Sequence, residues 1–515
     1  NVIPAFILDV FNMECVLDFK TVLCLCFAFL LVCIYRCTFK DSNYWKVRGV
    51  CCVEPLSAVE DFEKFVYSKI VHSESILRIY KTYSSERYVG VLVGYRPFLI
   101  VRDPTLVHRI CTVDFDSFKD VPMKNTPPDG IELKSLFDWP KWQDFKIKMV
   151  HSFCYENLQL ILRNFSNRSH NFMSFLEKNE SKNEVELYSI ISKYTCCFIS
   201  TYLFSYDTTI DMEPNVVGEK GKMLYDVSLL KALDRIIDYK VRFTVKEFSK
   251  KSLHFVMQYL NSVTEQRGKS DIRKNDFIQL VIDLKKEKQQ EKTGSKNRNS
   301  PDYIDDEVFG YFICIVISST FEKLTNLICL CLYELALNPD VQDTLRCEIM
   351  KAVEDGNDEV KHERLRSLKY ANRVVLETLR KYPIVYGTIR TCTKDYKVPG
   401  SDLVIEKGIS VYIPIYSIHR DPAYYTDPEV FDPDRFHDLS VQEREVGTFI
   451  PFGEGPRFCI GSEFSILLVK LALVQILSKY SFSACSKTKV PVEFTTNSNY
   501  LSVKSGIWLK VEKLS

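Results

Sequence analysis

The chain has 515 residues, 46% hydrophobic and 26% charged, which excludes a disordered polymer and suffices for a large core. Its 68 Lys and Arg against 67 Asp and Glu leave a formal charge of +1, so it lacks the basic excess of a nucleic-acid binder, while small uncharged ligands stay open. With 18 Gly and 20 Pro, collagen-like and long low-complexity readings also fail.

The first element in chain order is Thr21–Tyr35, an uncharged run of about 15 residues where a membrane span needs roughly 20. Extending it to Cys37 and letting Lys20 and Arg36 snorkel predicts a transmembrane signal-anchor over 21–37. Asp9, Glu14 and Asp18 precede it, and Arg36, Lys40, Lys46 and Arg48 follow. That asymmetry makes 1–20 a luminal tail, 38–50 a basic hinge and 51–515 a cytosolic domain. A cleaved signal peptide fits less well, because the leading segment is acidic and no small-residue cleavage site is clear. Met13 offers an alternative start, which would make residues 1–12 an artefact.

Strands are predicted at Tyr88–Val93 and Phe98–Val101, with Gly94 and Pro97 between them. Residues 158–284 read as mostly helical, and the charged stretch 285–300 as a solvated loop. A long helix is expected from Asp305 to Leu337, ended by Asn338-Pro339 and too charged to be a second span. Helices follow at Val341–Val353 and Glu363–Tyr382, then short strands and turns over Ile384–Ile415, then a helix over Ser465–Phe482. The whole is mainly α with a small β part, one large domain behind the anchor. None of the 18 Cys form a C-x-x-C, so zinc-knuckle, thioredoxin and covalent-haem signatures are missing, and most read as buried hydrophobes in a reducing compartment.

Chemistry concentrates in Pro451–Ser462, PFGEGPRFCIGS. Gly453, Gly455 and Gly461 let the backbone wrap closely around one sulfur. The helix that follows should aim its positive end at Cys459 and lower the thiol pKa. A thiolate held so is an axial ligand for haem iron, and Arg457 is placed to pair with a propionate.

This loop resembles the haem-binding loop of the cytochromes P-450, in particular the microsomal, insect-type branch that handles foreign chemicals and hormones. Glu377-Thr378-Leu379-Arg380 is similar to the family's E-x-x-R, whose i, i+3 spacing puts both charges on one helix face, and Arg435 in Phe431–Phe436 matches the arginine that completes a triad. Arg390 matches an arginine that reaches a propionate. Trp142 and Lys146 match a W-x-x-x-R helix with Lys in the arginine position, which keeps the charge and loses the planar fork. The resemblance implies the P-450 fold and haem b held by Cys459, with Phe452, Gly453 and Gly461 in the cradle. It implies an endoplasmic reticulum enzyme that puts one atom of O2 into a lipophilic small molecule. No G-x-G-x-x-G follows a strand, so electrons should come from a separate NADPH-dependent flavin reductase, with cytochrome b5 as a further possible donor. Pocket residues are implied near Phe115–Leu136, Leu229–Val245, Phe312–Val316, Ile384–Thr388 and Tyr500–Leu501.

One departure stands out. The family's A-G-x-E/D-T falls on Ser319-Thr320-Phe321-Glu322-Lys323, so the acid is kept, Thr320 replaces the glycine and Lys323 replaces the threonine of the proton relay. Thr320 or Ser319 could supply the hydroxyl, Lys323 could pair with Glu322, approach the iron as an amine, or point away. The expectation is weak, uncoupled monooxygenation. A same-fold enzyme that rearranges or dehydrates peroxides, or a decayed haem or ligand binder, would also suit an altered distal helix.

Overall fold

The structure, a computed structural model, describes residues 43–53, 73–93, 96–121, 184–204, 306–354, 362–495 and 500–514, with isolated helical positions at 142–143, 146–147 and between 257 and 283. The expected anchor at 21–37 lies outside the described residues. Among the described residues no helix is long and apolar enough to cross a membrane.

Strands β1 (Tyr88–Val93) and β2 (Arg96–Val101) pair antiparallel, Val89 opposite Ile100 and Val91 opposite Phe98. Pro97 lies inside β2, not between the strands as expected. It is tolerated there because pairing on the other edge of β2 begins only at Phe98, so the missing N–H breaks no bond on that side. Helix α1 (Pro104–His108) starts on Asp103, whose carboxylate accepts the N–H groups of Thr105 and Leu106, and continues into a π-turn at Arg109–Val113.

Strand β3 (Glu184–Glu186) leads into α2 (Leu187–Phe204), which packs on the central helix α3 (Asp306–Leu337, 32 residues). Pro339 cannot continue α3 and becomes the first residue of α4 (Pro339–Glu354). The helix expected over Glu363–Tyr382 is two, α5 (His362–Ser367) and α6 (Lys369–Lys381), broken at Leu368. The break is stabilised from outside: both oxygens of Glu348, on α4, accept the backbone N–H groups of Tyr370 and Ala371 at 2.8 and 2.9 Å, capping α6.

Strands β4 (Thr388–Thr391), β5 (Tyr396–Lys397), β6 (Val404–Ile405) and β7 (Ser410–Ile413) follow; β7 joins β2 in parallel and β4 antiparallel, giving a sheet of order β1-β2-β7-β4. The last helix, α7, is Ser462–Leu477, shorter at its end than expected. Tyr480 and Phe482, read as helical, belong to β8 (Tyr480–Ala484), which pairs with β9 (Trp508–Lys513) and buries both rings on one face by the period of two. One apolar core joins α2, α3, α6 and α7; a second lies under the β1-β2-β7-β4 sheet. The segment Ile450–Ile460 bridges them. Ile450 belongs to the sheet core, whereas Phe452 and Ile460 pack on the helical core.

Candidate haem-thiolate site

The cysteine loop begins at Ile450. Its N–H donates to Nε2 of His419 at 2.9 Å, which places the imidazole proton on Nδ1. Burial, followed by the nearby Arg380 cation, pushes His419 down to about 3, so the ring stays neutral and fixed, stacked on Phe449. His419 in turn offers its carbonyl to Nη1 of Arg380 at 3.0 Å. Arg380 grips Glu377 through two parallel bonds, Nε to Oε2 at 2.7 Å and Nη2 to Oε1 at 2.8 Å, with both side chains fully buried. The N–H of Asp432 donates to Glu377 Oε1 at 3.0 Å, and Nε of Arg435 stands 3.6 Å from the same oxygen, an ion-pair contact too long for a hydrogen bond. Burial raises the Glu377 pKa, with the Arg380 bond working against it. The three charges thus sit together and reach the cysteine loop through His419, a residue that no sequence motif marked.

Within the loop, Cys459 N–H donates to the Phe452 carbonyl at 3.0 Å and closes the turn. Gly455 has φ +70°, and a Cβ there would lie 1.9 Å from the Cys111 carbonyl oxygen, on the π-turn after α1. Backbone meets backbone, so neither side can yield. Gly453 has a similar φ of +76°, but its nearest neighbour is 4.0 Å away. Gly455→Ala should therefore cost well over the ~1–2 kcal/mol of a left-handed Ala, while Gly453→Ala should cost about that alone. Thermal inactivation of the two variants, read side by side, checks the ranking. Glu454 adds a further tie, its Oε1 lying 2.7 Å from His108 Nδ1.

Cys459 has an exposed side chain, and desolvation by the surrounding protein is the main influence on its thiol. Burial raises its pKa, opposed by the Gly461 N–H at the start of α7 and by the Lys323 and Lys146 cations. The expected lowering by the helix end is thus present but outweighed by desolvation in the protein alone. Nζ of Lys146 donates to the carbonyls of Pro456 and Phe458 at 2.9 and 3.0 Å, and Nε of Arg457 donates to the Lys119 carbonyl at 2.7 Å. Trp142 packs at the edge of the helical core.

The residues present fit a porphyrin. Arg390 is buried on β4 with Nε lacking any hydrogen-bond partner, a donor that an anionic propionate would satisfy. A Cβ built on Gly461, two residues after Cys459, meets nothing within 4 Å, so there is open space at the start of α7.

On α3 the distal residues diverge. Glu322 turns toward the C-terminal segment, where Oε2 accepts from Tyr500 Oη at 2.5 Å and Oε1 from Ser502 Oγ at 3.4 Å. Burial raises its pKa, with the Tyr500 and Ser502 bonds opposing. Ser319 Oγ donates back to the Val316 carbonyl at 3.1 Å, and Thr320 is half-buried. Burial lowers the pKa of Lys323, and it interacts electrostatically with Cys459 ahead of Glu322. A small cavity beside it is walled by Leu327, Leu330, Ile384 and Leu501, which joins two of the segments expected near substrate. Of the other such segments, 122–136 and 229–245 lie outside the described residues.

A buried arginine–carboxylate lock thus reaches the cysteine loop through His419. A family model for cytochrome P450 matches residues 68–511, and the chain belongs to that family. Curated relatives include cytochrome P450 6k1 of Blattella germanica (29% identical, covering 94% of this chain and 96% of that one). Probable cytochrome P450 6a13 of Drosophila melanogaster is 30% identical over 92% and 95% of the two chains. Cytochrome P450 9e2 of Blattella germanica is 27% identical over 94% and 97%. The protein is accordingly a cytochrome P450 monooxygenase carrying haem with a cysteine thiolate as axial ligand, in a family that uses redox partners and lipophilic substrates.

Proposed function

We propose that the enzyme puts one oxygen atom from O2 into a lipophilic small molecule, drawing electrons from a separate NADPH-dependent flavin reductase, with cytochrome b5 as an accessory donor. In this reading residues 21–37 anchor it in the endoplasmic reticulum membrane with the catalytic domain in the cytosol. The observation that carries it is Cys459, accessible within the fold on a loop tied to the Glu377–Arg380–Arg435 cluster through His419. Cys459 supplies the thiolate. Arg390, Arg457, Trp142 and Lys146 hold the propionate side of the group, and Phe452, Gly453 and Gly461 shape its cradle. Haem, when bound, supplies the iron at which dioxygen is reduced. A reduced-plus-CO spectrum tests the assignment, with a thiolate-type red-shifted band as the expected result.

The distal residues support weak coupling. The Glu322 carboxylate is held by Tyr500 and Ser502, and the relay alcohol is replaced by Lys323, so Thr320 is the hydroxyl left on that face to move protons. Proton delivery needs a donor within hydrogen-bond reach, and losing one costs about 10²–10⁴-fold in the step it serves. Most reducing equivalents should therefore leave as peroxide. Lys323→Thr should raise the ratio of product formed to NADPH consumed by about tenfold or more. Tight coupling in the unaltered chain would refute this, and turnover with an organic hydroperoxide but none with NADPH and reductase would assign a peroxide-rearranging enzyme instead.

A further inference from the structure

We infer that Glu322 and Asn326 are positioning residues: together they clasp the C-terminal turn at residues 500–502 onto α3, and so set the apolar wall that Leu501 and Ile384 present to substrate. This rests on the proposed function, in which residues 384–388 and 500–501 border the substrate.

Glu322 and Asn326 are four residues apart and share one face of α3. Between them they hold three consecutive residues of the turn. Glu322 Oε2 accepts from Tyr500 Oη at 2.5 Å and its Oε1 from Ser502 Oγ at 3.4 Å, while Asn326 Nδ2 donates to the Leu501 carbonyl at 3.2 Å. Further along the same face, Tyr333 Oη donates to the Lys489 carbonyl at 2.9 Å, a third tie from α3 to the C-terminal region.

The turn has other neighbours. Tyr500 forms an antiparallel bridge with Val385, so the clasp passes to the segment that carries Ile384. Thr495 N–H donates to the Ser502 carbonyl at 2.8 Å, and Lys504 N–H to the Glu493 carbonyl at 2.9 Å, which closes the turn on its other side. Beside α3 lies the small cavity walled by Leu327, Leu330, Ile384 and Leu501. Atoms that line a void forfeit contacts there, so the place of Leu501 depends the more on the polar ties of its neighbours. Bonds to an ionised acceptor are the stronger ones, which makes Glu322 the main tie. The role asks for acceptors rather than for a proton. A glutamine at 322 would still accept from Tyr500 and could donate to Ser502, whereas a relay acid tolerates no such exchange.

Binding spectra of purified holoprotein with imidazole and with 4-phenylimidazole test this. Both ligate haem iron, but the second also carries an apolar ring that must fit the wall. Tyr500→Phe and Glu322→Leu should bind 4-phenylimidazole about threefold to tenfold more weakly, with imidazole affinity kept within about twofold. Glu322→Gln should match the unaltered protein with both ligands. Tyr500→Phe keeps its ring and its main-chain bridge, so it decides the matter even if Glu322→Leu does not fold. Affinity for 4-phenylimidazole unchanged or raised in Tyr500→Phe, with a thiolate CO band present, overturns the inference and leaves the proposed function standing. Parallel weakening of both ligands, or equal losses in Glu322→Gln and Glu322→Leu, overturns it too. A thiolate CO band missing from the unaltered protein overturns the haem-thiolate assignment itself.

Discussion

Cys459→Ala should yield folded protein that has lost the thiolate-type CO band completely and lost turnover by at least about a hundredfold. The fold should survive because the loop is closed by main-chain bonds, Cys459 N–H to Phe452 and Ser462 N–H to the Cys459 carbonyl, and Ala forms both. The left-handed turns at Gly453 and Gly455 do not depend on the sulfur either. Chemistry should fail because, among the described residues, the groups that act on the sulfur are the Gly461 N–H and the Lys323 and Lys146 cations, which stabilise an anion but supply none. Circular dichroism, haem content and the CO spectrum of the variant decide it together. Cys459→Ala protein that keeps the thiolate band would remove the basis of the assignment.

The same loop shows how far sequence carries. Gly453 and Gly455 are legible because their chemistry is local: both turn left-handed in a loop that closes on the Cys459 N–H, whereas Gly461 has an ordinary φ of −93°. The long helix is legible for a similar reason, a sustained apolar run ended by Asn338-Pro339. What is missed depends on partners far along the chain. The break at Leu368 carries no capping residue of its own, because the cap is Glu348 on another helix. The final helix overruns because Tyr480 and Phe482 are apolar in either period, and only pairing with β9 selects the strand. Glu322 matches a family motif, but its direction is set by Tyr500, 178 residues later. His419 carries the lock to the loop through its carbonyl and one ring nitrogen, and nothing in its neighbours announces that role. The pKa of Cys459 does not follow from the helix end alone, since desolvation is a property of the whole packed site.

That lock should be the most expensive single point of failure in the fold. Arg380→Ala leaves the Glu377 carboxylate buried without its bidentate partner, and breaking a buried pair from one side costs about 3–5 kcal/mol. For a domain whose stability is about 5–15 kcal/mol, that is about a fifth of the total or more. The damage also spreads along one path. Without Arg380, the carbonyls of His419 and Val430 lose a donor, His419 is released from one side, and its bond to the Ile450 N–H no longer fixes where the cysteine loop begins. The variant should therefore load haem poorly even where it stays soluble. Removing both charges tests the electrostatic cause. Glu377→Gln with Arg380→Met removes both members of the buried pair and leaves Arg435 beside Asp432, 3.9 Å away, so its loss should fall short of the summed single effects by a coupling of about 0.5–3 kcal/mol. Haem content per chain and thermal inactivation rate, measured for Arg380→Ala, both single variants and the pair, give the cycle. Native haem loading in Arg380→Ala, or strict additivity across the pair, would mean that the buried charges do not hold the loop.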